Sequence, residues 1–125
     1  MRFSFAVAFI LLAGLCVPAA AGERVCRSPQ PVETIAAVFD AIRACWQPPA
    51  GDRDHDATVN FSLRLNGTII GTPRLVHRDP TDRSPEALAF DRSILEAMER
   101  AAPLPLSDSL GGAIAGRLFA YRLTD

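Results

Sequence analysis

The chain has 125 residues, with 13 basic and 14 acidic side chains and a formal net charge of −1, and every basic residue is arginine. No strongly basic stripe offers an electrostatic footprint for nucleic acid, and the length leaves room for one hydrophobic core beyond a targeting segment. The three cysteines include no C-x-x-C pair.

The first 21 residues read as a secretory signal peptide. Arg2 supplies a short positive region, residues 3–17 are almost uninterruptedly apolar, and Ala19, Ala20 and Ala21 place small residues at a cleavage site. The apolar run falls short of the roughly 20 residues that span a bilayer. Cys16 follows Leu15 rather than the small residue of a lipidation signal. Cleavage after Ala21 predicts a periplasmic protein with no membrane anchor, an N-terminal arm at 22–32 and a domain at 33–125. Only Cys26 and Cys45 then remain, and in an exported chain that pair reads as one disulfide. Its loop closure is worth about 3 kcal/mol in the chain-entropy account.

Ile35, Val38, Phe39, Ile42, Cys45 and Trp46 recur every three or four residues and predict an amphipathic helix from Thr34 to Trp46. Pro48 and Pro49 end it. The following "AGDRDHD" reads as a solvated acidic loop that carries His55. Asp52, Asp54 and Asp56 match three positions of an EF-hand loop, but Ala57 replaces its glycine and Leu63 its bidentate glutamate. Neither calcium nor any other metal is therefore expected.

Residues 57–65, "ATVNFSLRL", alternate strictly, with Val59, Phe61, Leu63 and Leu65 on one side. This is the pattern of a half-buried strand. Asn66 and Gly67 suit a tight hairpin turn, and "TIIGTPRLVH" returns, with Gly71 and Pro73 pointing to a bulge or an edge. Two N-x-S/T sequons, at Asn60 and Asn66, fall inside the strand and turn and read as structural.

Ser84 as N-cap, Pro85 at the first position and Glu86 in the first turn start a second helix. Leu88, Ile94, Leu95, Met98 and Ala101 form its expected buried stripe, and Pro103 ends it. "PLPLSDSLGG" reads as a linker to a last strand, "GRLFAYRL". There Leu118, Ala120 and Arg122 face away from Phe119, Tyr121 and Leu123. The predicted order is helix, strand, strand, helix, strand, an α+β domain.

Four elements of this chain, in this order, resemble the C-terminal domain of the TonB and TolA proteins. They are the helix ending in Trp46-Gln47-Pro48-Pro49; the strand with Phe61 and Leu63 leading to Gly67; "GTPRLV" at 71–76; and "FDRSILEAMERAAPLPL" at 90–106. The likeness spans about residues 33–124. It implies two helices packed on one face of a small, mainly antiparallel three-stranded sheet. It also implies a periplasmic protein-binding role, in which a partner segment adds to the sheet edge as an extra strand. The presumed cleavage site lies too close to the first helix to leave a spacer, so the resemblance points to a free binding module rather than an energy transducer.

The last strand is the expected docking edge, with Arg117, Phe119 and Tyr121 as the candidate contacts. Expected partners are a periplasmic or outer-membrane protein or peptide, with the chain itself a monomer or weak dimer and no cofactor. The competing class is a small secreted enzyme or an inhibitor. No G-x-S-x-G, H-E-x-x-H or phosphate loop supports an enzyme, and His55 and His77, flanked by Arg or Asp, read as surface residues.

Overall fold

The computed structural model describes residue 14, residues 24–51 and residues 54–125. Apart from Gly14, the signal-peptide segment lies outside the described residues. The elements are α1 (Ile35–Ala44), β1 (Asp56–Ser62), β2 (Arg74–Asp79), α2 (Pro85–Ala101), α3 (Asp108–Ile114) and β3 (Leu118–Thr124). The strands form one antiparallel sheet in the order β2-β1-β3, which makes this a mixed α+β fold with β1 at the centre.

Each helix starts on a side-chain cap. The hydroxyl of Thr34 accepts from the Ala37 amide at 3.1 Å, that of Ser84 from Ala87 at 3.2 Å and that of Ser107 from Leu110 at 3.1 Å. Such caps satisfy amides that have no partner inside the helix. The third cap corrects the linker expected at "PLPLSDSLGG": Ser107 and Asp108 open α3 there. Its two glycines, poor helix formers, hid it. Gly111 has a packing reason, since a Cβ on it would sit 3.1 Å from the carbonyl oxygen of Leu65.

The alternation in β1 holds, with Ala57, Val59 and Phe61 buried. These residues share one core with Val38 and Ile42 of α1, Phe90, Ile94 and Met98 of α2, Ile114 of α3 and Leu123 of β3. The stripe expected on α2 needs correcting. Leu88 is 44 % exposed and Leu95 half-buried, while Ala87, Phe90, Ser93 and Ala97 are buried. Phe90 sets the phase: positions 87, 90, 94, 97, 98 and 101 follow each other at helical spacing, and Leu88 falls off that line.

β1 is shorter than 57–65, because beyond Ser62 only an isolated bridge joins Leu63 to Ile69. The hairpin turns at Gly67, which has φ +82°, and a Cβ there would lie 1.8 Å from the Leu104 carbonyl oxygen. Only glycine admits that approach, and it allows the Leu104 amide to donate to the Gly67 carbonyl at 2.9 Å. Asn66 serves the same turn by accepting from the Thr68 amide and hydroxyl. Of the bulge or edge expected at Gly71 and Pro73 the structure shows the edge, since β2 is an outer strand that starts after them at Arg74; the register shift lies further on, between Thr58 and Val59 opposite His77 and Leu75.

Cys26 and Cys45 form the expected disulfide, with Cα atoms 4.6 Å apart. The arm then inserts Val32, fully buried, beside the segment after α2. The Val32 amide donates to Pro105 and the Ser107 amide donates to Val32, at 2.8 and 2.9 Å.

Candidate functional site

Two features stand out, the outer edge of β3 and a cleft beside His55. The chain enters β3 through Gly116, whose φ of +79° turns it out of α3 and whose amide donates to the Leu63 carbonyl at 2.9 Å. From there β3 runs against β1 without a break, Ser62 opposite Leu118 through to Asp56 opposite Thr124. One residue further, the Asp125 amide donates to the His55 carbonyl at 3.2 Å. Backbone groups alternate sides along a strand. Counting back from Asp125, residues 123, 121 and 119 therefore bond to β1, and the amides and carbonyls of Leu118, Ala120, Arg122 and Thr124 point outward. Among the described residues no strand covers them.

Side chains divide by the same alternation. Phe119 and Tyr121 are half-buried. Phe39 of α1 stacks on Tyr121 with ring centroids 4.6 Å apart and meets Phe119 edge-on at 6.2 Å, and Phe119 lies 5.7 Å from Phe61. Leu118, 71 % exposed, and Arg117 stand in solvent. Arg122 makes a forked ion pair with Asp56, with Nε 2.8 Å from each carboxylate oxygen. The guanidinium's hydrogen bonds and charge hold the Asp56 carboxyl below its ordinary range, and Asp56 in turn raises Arg122. Of the three candidate contacts, Phe119 and Tyr121 lie on β3 and Arg117 directly precedes it. Arg117 is free to meet a partner, while the two aromatic rings are already engaged with α1 and offer only their outer flanks.

The second feature corrects the sequence reading. His55 is not a solvated loop residue: it is 5 % exposed and stacks on Phe90 with centroids 5.0 Å apart. Trp46 meets the same Phe90 ring edge-on at 5.8 Å and donates its indole N–H to Ser93 at 2.9 Å. Ser93 in turn donates to the Phe90 carbonyl at 2.6 Å. The His55 amide donates to one Asp125 carboxylate oxygen at 2.7 Å, and its Nδ1 lies 3.7 Å from the other. Nε2 is buried with no hydrogen-bond partner. His55 is among the residues that line a cleft of about 220 Å³, with Pro49, Ala50, Gly51, Pro85, Glu86 and Ala89. His77, as expected, is exposed. One signal could have found His55: it is odd-numbered, in phase with the buried Ala57, Val59 and Phe61. Among the described residues no three His, Cys, Asp or Glu side chains come together as a metal would need.

The sequence pattern of one family, described as Uncharacterised conserved protein UCP034077, matches residues 28–125. The chain belongs to that family. No curated protein and no solved structure matches it. The part matched to the UCP034077 family takes in all three helices, the whole sheet and the His55 cleft, and starts two residues after Cys26. Of the disulfide, only Cys45 falls within the UCP034077 match.

Proposed function

We propose that this protein is a non-enzymatic periplasmic protein-binding module resembling the TonB/TolA C-terminal domain, with α1 and α2 on one face of the sheet. It takes an extended segment of a periplasmic or outer-membrane protein onto the outer edge of β3. The observation that carries this reading is the unbroken register of β3, whose outward amides and carbonyls at residues 118, 120, 122 and 124 have no strand beside them among the described residues. A strand added there gains main-chain hydrogen bonds, and its side chains flank Arg117, Phe119 and Tyr121. The Cys26–Cys45 disulfide fits an oxidising compartment, and no helix among the described residues is long and apolar enough to cross a membrane.

The second reading, a small secreted enzyme or inhibitor on the same fold, draws on the buried His55 beside Asp125. Histidine oriented by a carboxylate is a frequent general base. Among the described residues lining its cleft there is no serine, threonine or cysteine, and the binding reading is preferred.

The test is site-specific photocrosslinking in the periplasm, with probes at Leu118 on β3 and at Val76 on β2. The expected result is a discrete adduct from Leu118 alone that disappears in Ala120→Pro. That substitution removes an outward amide while leaving the bonds to β1 in place. Equal adducts from Val76, or an adduct that survives Ala120→Pro, would overturn the proposal.

A further inference from the structure

The hairpin tip beyond β1 carries the chain's single asparagine-glycine pair, Asn66-Gly67. In such a pair the glycine nitrogen can attack the asparagine side chain, because no Cβ shields it. The Gly67 nitrogen bonds to Cγ of Asn66, its proton leaves with the side-chain nitrogen as ammonia, and a five-membered imide closes. Water then opens the ring. Breaking the bond to Cγ gives aspartate, and breaking the bond to the main-chain carbonyl gives isoaspartate, whose backbone runs through Cβ and Cγ.

The structure prepares the electrophile and restrains the nucleophile. Asn66 is exposed, and its Oδ1 accepts from the Thr68 amide at 3.1 Å and the Thr68 hydroxyl at 2.6 Å. Two donors thus stand where negative charge develops on attack. Gly67 is buried; its amide donates to the Arg64 carbonyl and its carbonyl accepts from the Leu104 amide, both at 2.9 Å. With N–H and C=O both tied, Gly67 cannot swing its nitrogen onto Cγ while the turn is docked on Leu104. The reaction proceeds from the locally open turn, and its rate follows the population of that state.

The same docking connects the turn to the N-terminal arm. Leu104 leads into the segment that holds Val32, whose amide donates to the Pro105 carbonyl and whose carbonyl accepts from the Ser107 amide. An isoaspartate at position 66 adds one methylene to the backbone beside Gly67, where even a Cβ would lie 1.8 Å from the Leu104 carbonyl oxygen. The docked turn cannot re-form around it.

We propose that Asn66 is a site of spontaneous deamidation gated by the Gly67–Leu104 contact, and that isoaspartate there irreversibly releases the segment at 104–107 from the hairpin. The site is separate from the β3 edge and does not depend on the protein-docking reading.

The full exported chain is incubated in mildly alkaline buffer, native and in urea, and peptide mapping by mass spectrometry counts aspartate and isoaspartate at positions 66 and 60. Asn60, followed by Phe61 in β1, is the internal control. In urea Asn66 is expected to convert much faster than Asn60, and in the native chain at least roughly tenfold more slowly than in urea. Leu104→Ala, which loosens the contact, raises the native rate at Asn66. In the isoaspartate fraction the Leu104 amide loses its protection from hydrogen exchange, while the Tyr121 amide, bonded to β1, keeps it. If Leu104→Ala does not fold, the native-to-urea ratio and the exchange measurement decide. Conversion at Asn66 no faster than at Asn60, equal rates with and without urea, an unchanged rate in folded Leu104→Ala, or intact Leu104 protection in the isoaspartate fraction overturns the proposal.

Discussion

The two outer strands of the sheet flank the same central strand and are built in opposite ways. β2 presents a broken register, four exposed charged or ionisable residues at Arg74, His77, Arg78 and Asp79, and a proline on either side at Pro73 and Pro80. Bulges, charges and prolines are the usual means by which an edge is kept from pairing with another chain. β3 differs on each count: its register is continuous, it neither contains nor adjoins a proline, and it carries a single charged residue, Arg122, paired with Asp56. The protein thus blunts one edge and leaves the other regular. An edge left regular beside a blunted one points to use, and that asymmetry underlies the choice of β3 as the docking strand.

The strands differ equally in how deeply they are anchored, and this gives the largest expected effect. Leu123 of β3 is fully buried, whereas Leu75 of β2 is half-buried against the same core. Truncating a buried leucine removes transfer energy and leaves a cavity. Leu123→Ala should therefore cost about 3 kcal/mol, and Leu75→Ala about 1 kcal/mol. Urea unfolding of both variants measures this, and equal losses would break the contrast.

A smaller effect concerns the stacked pair that fixes β3 to α1. Phe39 and Tyr121 lie almost parallel, at 9°. Aromatic pairs of this kind add about 0.5–1.5 kcal/mol beyond the area they bury. A double-mutant cycle with Phe39→Leu and Tyr121→Leu should return a coupling of about 1 kcal/mol. A coupling near zero would leave Tyr121 free to serve a partner at no cost to the fold.

What the sequence made legible, and what it hid, follows the same division between local and distant physics. Ser84 with Pro85, the alternation through Phe61, and the glycine turn at Gly67 all act within a few residues, and each was readable. The phase of β3 was readable too, since Leu118, Ala120 and Arg122 separate cleanly from Phe119, Tyr121 and Leu123. His55 was legible only through its phase with Ala57, Val59 and Phe61, because Asp54 and Asp56 beside it read as solvent, while the groups that bury it, Phe90 and Asp125, are distant in sequence. The α2 stripe departs from expectation for a similar reason: Leu88 outranks Ala87 in hydrophobicity, but the position of Phe90 decides the buried side. The seven-residue α3 was hidden behind two glycines, and only its Ser107 cap hinted at it.

The smallest expected effect separates the ion pairs that tie down the two outer strands. Arg78 of β2 reaches Asp91 of α2 at 2.8 Å, whereas Arg122 of β3 grips Asp56 of the neighbouring strand. Because the Arg122 hydrogen bonds lower the Asp56 pKa in the folded state, folding favours the ionised carboxylate. The stabilisation is complete above the unfolded value of about 3.9 and disappears as pH falls through the lower folded value. The stability difference between wild type and Asp56→Asn should accordingly be present at pH 7 and shrink towards zero on acidification below about pH 4. It should also diminish with added salt, because the exposed Arg122 guanidinium leaves the pair open to screening. Denaturant titrations from pH 7 to pH 3 would test this. A difference that grew on acidification would mean that the protonated carboxyl, not the ion pair, is what β3 relies on at this end of the sheet.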